Sequence, residues 1–331
     1  MYMENAPLVS IIIPAFNAGL TIEKTIESIE NQNYGNFEII VVDDDSKDNT
    51  VDIVKNLADK YANIKLLTNP GKKSVSAGRN YGIDNANGEL IMFVDADDRL
   101  LPDMLSILYK ELVDQNIDIC GCSFFAWMTD DEWNSKIVSE PKKINSINYD
   151  SFDFLNKEFL NKNNTRCWAK LYKKDAIGIT RFDENLVIGE DALFIISLLK
   201  KDIRLSELNY QGYGYFQNPN GAMNRSFEPK YMDQITCWEK IREEAVSMDS
   251  STKDMLTMKL LMSIMLVAGK LAKCDTDKKA EYRRYIDICH DKVKIELSDK
   301  GGYKLLDKGY KLKVRLFKAF PRIYSMLYRI L

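Results

Sequence analysis

Three acidic clusters in this chain have the spacing to do chemistry: Asp43-Asp44-Asp45, Asp95-Ala96-Asp97 with Asp98 beside it, and Glu190-Asp191. Two carboxylates spaced as in Asp95-x-Asp97, set directly after an apolar run, suit a hard divalent ion that keeps some of its waters and bridges a diphosphate. The plainer alternative is a solvated acidic turn whose Asp98 caps the next helix. Glu190 and Asp191 open an apolar run, where acids in a first helical turn complement the dipole. Other chemistries lack their residues. His290 is the single histidine, so Ser-His-Asp and Cys-His mechanisms are not indicated. The cysteines (Cys120, Cys122, Cys167, Cys237, Cys274, Cys289) form no CxxC pair, which argues against zinc and for reduced thiols.

The acidic clusters need strands to hold them. Short β-branched or apolar runs at 9–14, 37–42, 64–68, 90–94 and 117–125 read as strands, separated by helical patterns near 21–32, 51–58 and 77–86. Ile22, Ile26 and Ile29 show the helical spacing clearly. This alternation predicts an α/β fold with a mainly parallel central sheet and helices on both faces. Ligands of such sheets bind outside the carboxyl ends of the strands. Three polar clusters, 14–17, 43–46 and 95–98, fall at those ends. Neither GxGxxG nor GxxxxGK[ST] is present, so a phosphate ligand must be held in another way. The pattern becomes irregular near 150, and beyond about 228 it reads as all-helical.

The 331 residues, 45% hydrophobic and 29% charged, exclude collagen-like and largely disordered chains. No run of 18 uninterrupted apolar residues occurs, and the first residues lack a basic-then-apolar leader pattern. A conventional transmembrane helix and an export signal are therefore not expected, and a cytoplasmic location is.

Pro14-Ala15-Phe16-Asn17, Val42-Asp43-Asp44-Asp45-Ser46, Ala77-Gly78-Arg79-Asn80, Asn85-Ala86-Asn87-Gly88-Glu89 and Phe93-Val94-Asp95-Ala96-Asp97-Asp98 follow one another in the order and spacing that resemble the family-2 glycosyltransferases of the GT-A fold. Cys167-Trp168-Ala169-Lys170-Leu171-Tyr172, Arg181-Phe182-Asp183 and Gly189-Glu190-Asp191-Ala192 resemble the second half of that domain in bacterial members. The resemblance spans about 7–218. It implies a nucleotide-sugar donor whose nucleoside lies along Pro14, Ala15, Phe16 and Asn17, with Asp44 hydrogen-bonding the base. It implies Asp95 beside Ala96 near the ribose and metal, and Asp97 as the principal ligand of Mn²⁺ or Mg²⁺. Lys72, Lys73 and Arg79 stand where cations can face the diphosphate; Arg79 can alternatively pair with strand-end acids. Asp191 matches the position of the base that deprotonates the acceptor hydroxyl, with Glu190 supporting it. Trp168 is a candidate to stack on an acceptor sugar, or else a core indole. Many relatives carry glycine where Asp45 stands.

Charge is unevenly spread. Residues 301–331 carry +7 and the other 300 carry −10, within a net charge of −3. On a helical wheel Lys311, Arg315, Lys318, Arg322 and Arg329 form one stripe, opposite Leu312, Leu316, Phe317, Phe320, Ile323, Tyr324, Leu327, Tyr328 and Leu331. Lys313 violates the pattern, and Pro321 predicts a kink. Such a helix suits peripheral contact with an anionic membrane face. The alternative is that its apolar face packs on protein, including a second copy. The acidic body opposes nucleic acid.

The expected organisation is a catalytic domain over 1–225 and a helical region over 226–331 that ends in the basic amphipathic helix, about 304–331. The expected reaction is metal-dependent, inverting transfer from a UDP-sugar to a hydroxyl of a glycan or lipid-linked glycan in cell-surface polysaccharide synthesis, at the inner face of the membrane. A non-catalytic nucleotide-sugar- or glycan-binding subunit of a polysaccharide assembly complex is the alternative. A nucleotidyltransferase is disfavoured by the missing glycine-rich loop.

Overall fold

The computed structural model describes residues 6–137, 143–218, 226–244, 248–274, 279–298 and 300–330. The first five residues, 219–225, Leu331 and the side chain of Arg329 lie outside that description, with the parts of the readings above that rest on them.

The chain alternates as its sequence implies: β1 (Val9–Ala15), α1 (Ile22–Glu30), β2 (Phe37–Asp43), α2 (Thr50–Lys60), β3 (Ile64–Thr68), α3 (Val75–Asp84), β4 (Leu90–Phe93), β5 (Arg99–Leu100), α4 (Met104–Asp114) and β6 (Ile119–Trp127). It continues with α5 (Asp130–Ile137), β7 (Ser146–Asp150), α6 (Ser151–Phe154), a π turn (Leu155–Leu160), β8 (Lys170–Lys173), α7 (Lys174–Ile177), α8 (Glu190–Leu199) and β9 (Arg204–Phe216). After a 3₁₀ turn (Pro229–Met232) come α9 (Asp233–Glu244), α10 (Ser250–Ala272), α11 (Lys279–Glu296), α12 (Lys300–Leu305), α13 (Lys308–Ala319) and α14 (Pro321–Ile330).

Two units emerge. The first contains the described residues of Met1–Leu155, Thr165–Asn185 and Phe194–Pro219. Its nine strands, among the described residues, form one sheet in the order β3-β2-β1-β4-β8-β6-β9-β5, with β7 also paired to β9. β3, β2, β1 and β4 are parallel, as is β6 with β9. Antiparallel strands complete the sheet: β8 lies between β4 and β6, while β5 and β7 flank β9. Because side chains alternate across a strand, Ile11, Ile13, Ile39, Val41 and Met92 share one buried face with Ile22, Ile26 and Ile29 of α1 and Leu105 and Leu108 of α4. On the other face α3 approaches closely enough that a Cβ on Gly82 would lie 2.4 Å from Ile12. With both faces covered, the parallel strands can be apolar throughout.

The second unit contains the described residues of Asn156–Asn164, Leu186–Leu193 and Asn220–Leu331. Its centre is α10, whose Leu256, Leu260, Leu261, Ile264, Val267 and Leu271 are buried and against which α9, α11, α12, α13 and α14 pack. Despite its scattered charges, α10 is long and apolar enough by length and composition to cross a membrane, yet 72% of its apolar window is buried inside the protein. Its hydrophobicity therefore serves the core of this unit.

The C-terminal segment is divided into α12, α13 and α14. It breaks at Phe320, which takes φ −143° and ψ 70° before Pro321. Val314, Phe317 and Tyr324 are buried, whereas Leu312, Phe320, Ile323 and Leu327 stay exposed. The apolar face is thus divided between the protein and its surface.

Candidate active site

The carboxyl ends of β1, β2 and β4 lie side by side, with Ala15 opposite Asp43 and Ile12 opposite Phe93. Asp44 continues the pairing, its N–H donating to the Ala15 carbonyl at 2.8 Å. Asp43 is buried and turns the loop, with Oδ2 accepting from the N–H groups of Asp45 and Ser46 at 3.1 and 3.2 Å. Asp45 then adopts φ +73°, the left-handed conformation that glycine takes without penalty, and its carboxylate pairs with Lys47 at 2.8 Å. That backbone accounts for the glycine of relatives.

Asp44 is half-buried and accepts from Asn69 Nδ2 at 2.7 Å. Burial lifts its carboxyl above the ordinary range, and the Asn69 hydrogen bond and the Lys73 charge partly offset that. Asn69 also donates to the Lys72 carbonyl and receives the Lys73 ammonium on its own carbonyl. Phe16, 59% exposed, projects beside Asn17, which has φ +50° and is tied to the Ser46 hydroxyl and the Lys47 N–H. Lys72 reaches Asn185 at 3.3 Å.

At the end of β4, Asp95, Ala96 and Asp97 are half-buried and Asp98 is fully buried. Asp98 does not cap α4, whose N-cap is Asp103. Its Oδ2 accepts from the Tyr213 hydroxyl at 2.6 Å and its Oδ1 from the Phe216 N–H at 2.8 Å. The Tyr213 oxygen in turn accepts from the Asp95 N–H at 3.2 Å. Thr21, at the N-cap of α1, and Thr25 within that helix both donate to the Ala96 carbonyl, at 2.9 and 3.0 Å. Arg79, almost wholly buried, pairs with Asp95 at 2.9 Å. The rigid turn leaves Asp97 crowded: burial, then the Asp95 charge, raises its carboxyl to about 6.

Trp168 is half-buried. It stacks on Tyr213 and Tyr215 with centroids at 4.7 and 5.5 Å, and Phe124 meets its edge at 5.1 Å. Burial raises the Tyr215 hydroxyl, as do the carboxylates of Asp98, Asp97 and Asp95, which places this aromatic ladder beside the acidic turn.

In the second unit, Glu190 and Asp191 form the first turn of α8 and are half-buried. Gly189 sets that start. Its φ is +92°, and a Cβ there would lie 2.8 Å from both Cβ and Sγ of Cys237. Its carbonyl accepts from the Cys237 thiol at 3.0 Å and the Leu193 N–H at 3.2 Å. Burial, then Glu190, pushes the Cys237 thiol up to about 12. All six cysteines are buried thiols.

The profile of Glycosyl transferase family 2 matches residues 10–179, just over half of the chain. The chain is a family-2 glycosyltransferase. Among bacterial relatives, the Campylobacter jejuni GalNAc(5)-diNAcBac-PP-undecaprenol β-1,3-glucosyltransferase is 29% identical over 281 residues, 84% of this chain and 86% of that one. The glycosyltransferase EpsJ of Bacillus subtilis is 29% identical over 229 residues, 67% of the chain and 65% of EpsJ. The transferase shares its GT-A fold with Staphylococcus aureus TarS 1–349 in complex with UDP-GlcNAc (TM-score 0.67, 20% identity, 97% and 89% of the two chains). It also resembles the Pyrobaculum calidifontis mannosyltransferase PcManGT in complex with GDP-Man and Mn²⁺ (TM-score 0.55, 16% identity, 98% and 87%).

Among the transferase's described residues no group of three or more His, Cys, Asp or Glu converges as a ready-made metal cage. Asp98 is turned away onto Tyr213, which leaves Asp95 and Asp97. Two carboxylates fit an ion that completes its shell with water and phosphate oxygens, as Mg²⁺ commonly does. The crowding that raises Asp97 is what a cation there would relieve.

Proposed function

We propose that the transferase moves one sugar, with inversion, from a UDP-sugar to a hydroxyl of a glycan or lipid-linked glycan in cell-surface polysaccharide synthesis. The observation that carries this reading is the alignment of Asp44 and Asp95-x-Asp97 at the carboxyl ends of β2 and β4, the two parallel strands that flank β1. Pro14, Ala15, Phe16 and Asn17 line the nucleoside, and Asp44, oriented by Asn69, accepts from a uracil N–H. Lys73 faces the diphosphate, and Arg79 holds Asp95 in place. Asp97 and Asp95 would hold Mn²⁺ or Mg²⁺, which when bound neutralises the departing diphosphate. The metal in PcManGT and the UDP-GlcNAc in TarS support these choices by analogy.

Asp191 takes the proton of the acceptor hydroxyl as that oxygen bonds to the anomeric carbon and the bond to the donor phosphate breaks. Glu190 supports it. Trp168, with Phe124 and Tyr215, offers an aromatic platform for an acceptor sugar. The catalytic domain is assigned to 1–225 and the helical region to 226–331, with peripheral contact at the inner membrane face. The undecaprenol-linked substrate in the name of the Campylobacter relative supports a lipid-linked acceptor.

Two variants test the assignment. Asp97→Ala abolishes metal-dependent UDP binding, whereas Asp191→Asn keeps it and lowers turnover by at least about 100-fold. Normal turnover in Asp191→Asn would remove Asp191 from the role of base.

A further inference from the structure

A cleft of about 270 Å³ opens in the helical unit between α10, α13 and α14. Lys270, Lys273 and Lys313 line it together with Tyr310 and Tyr328, and among the described residues no carboxylate does; the Lys270 ammonium is engaged on the Tyr231 ring, 4.2 Å from its centroid. Lys270 and Lys273 stand at the carboxyl end of α10, where the helix dipole favours cations. Lys313 has no such reason to be there. It is the residue that breaks the basic stripe of the tail, and the fold turns it inward. Its ammonium lies 5.4 Å from the Tyr310 ring and 5.5 Å from the Tyr328 ring, with that of Lys273 also 5.5 Å from Tyr328.

Tyr328 thus sits within cation–π range of two ammonium groups, in a seat that only glycine allows: a Cβ on Gly269 would lie 2.7 Å from Tyr328 Cζ. Asp307, the one acid of 301–331, is engaged in capping α13 through the Tyr310 N–H at 2.8 Å. Gathering like charges in one cleft is costly unless an anion joins them.

We infer that this cleft binds the phosphate of an anionic lipid headgroup, with the two tyrosine hydroxyls available as further donors. The surroundings favour a lipid over a soluble phosphate ester. On the same helices Leu312, Ile323, Met326 and Leu327 are exposed, alongside exposed Lys308, Arg315, Lys318 and Arg322. Apolar side chains interleaved with cations suit the headgroup boundary of a bilayer. This inference rests on the peripheral membrane contact proposed above and names the residues that would receive the lipid.

The test is co-sedimentation of the full chain with phosphatidylcholine vesicles, with and without phosphatidylglycerol, in the absence of donor. Two variants remove equal charge: Lys273→Gln/Lys313→Gln inside the cleft and Lys308→Gln/Lys318→Gln outside it. Thermal melts confirm that both fold. The cleft variant is expected to bind anionic vesicles at least about tenfold more weakly than the outer variant, where diffuse attraction alone weakens both alike. Equal losses would overturn the cleft while leaving the membrane contact standing. Absence of binding by the wild type would overturn both. If inorganic phosphate raised the melting temperature of the wild type but not of the cleft variant, and vesicles did not bind, the lipid source would be overturned.

Discussion

Asn69 holds Asp44 through its side-chain amide while its main-chain carbonyl takes the Lys73 ammonium, so one buried residue organises two groups proposed to meet the donor. Asn69→Ala is expected to weaken UDP binding by about tenfold, the typical worth of a hydrogen bond to a charged group. Unchanged affinity by calorimetric titration would free Asp44 from that dependence. The left-handed Asp45 makes a second prediction: Asp45→Val should be less stable than Asp45→Gly by about 1–2 kcal/mol in urea unfolding. The acids themselves were legible in the sequence because they follow apolar strands. Asn69, in an Asn69-Pro70-Gly71 run, carries no such mark, and neither does Tyr213, which reaches Asp98 across 115 residues. Phe124 and Tyr215 join Trp168 only through the folded sheet. Hydrophobic periodicity shows where a strand ends and carries no record of which distant strand will lie beside it.

At the scale of elements, the parallel half of the sheet and its helices follow from short apolar runs separated by helical patterns, and the strands appear within two residues of the expected limits. The antiparallel strands β5, β7 and β8 are two to five residues long, too short for a clear period. On β8, Lys170 is buried, with its ammonium 3.8 Å from Glu207. Burial pulls it down to about 8 from 10.5, against the opposing effect of Glu207. Between those values the unfolded chain binds the extra proton, so this residue makes stability rise with pH across that window. The buried thiols of Cys120 and Cys122 are raised and oppose the trend above pH 9. Comparing wild type with Lys170→Met in urea unfolding at several pH values isolates the lysine. The variant should lack the rise; parallel profiles would show that Lys170 titrates normally.

For the whole molecule, the sequence pattern separates an α/β part from a helical part, while in space the helical unit also includes Asn156–Asn164 and Leu186–Leu193. That interleaving is invisible to composition because each segment is too short to shift the composition of the stretch around it. It assigns the Glu190-Asp191 turn to the helical unit and the donor-side acids to the sheet unit, while α8 runs through both assignments. The tail similarly reads as one amphipathic helix until Pro321 and the burial of Val314, Phe317 and Tyr324 divide it. The central claim is that the acidic strand ends bind a nucleoside diphosphate through a divalent ion. Titration calorimetry of the full chain with UDP, with and without Mn²⁺ and with GDP as competitor, tests it most directly. Mn²⁺-dependent UDP binding that GDP displaces poorly is expected; equal UDP binding with and without the ion, or no binding of either nucleotide, would refute the assignment.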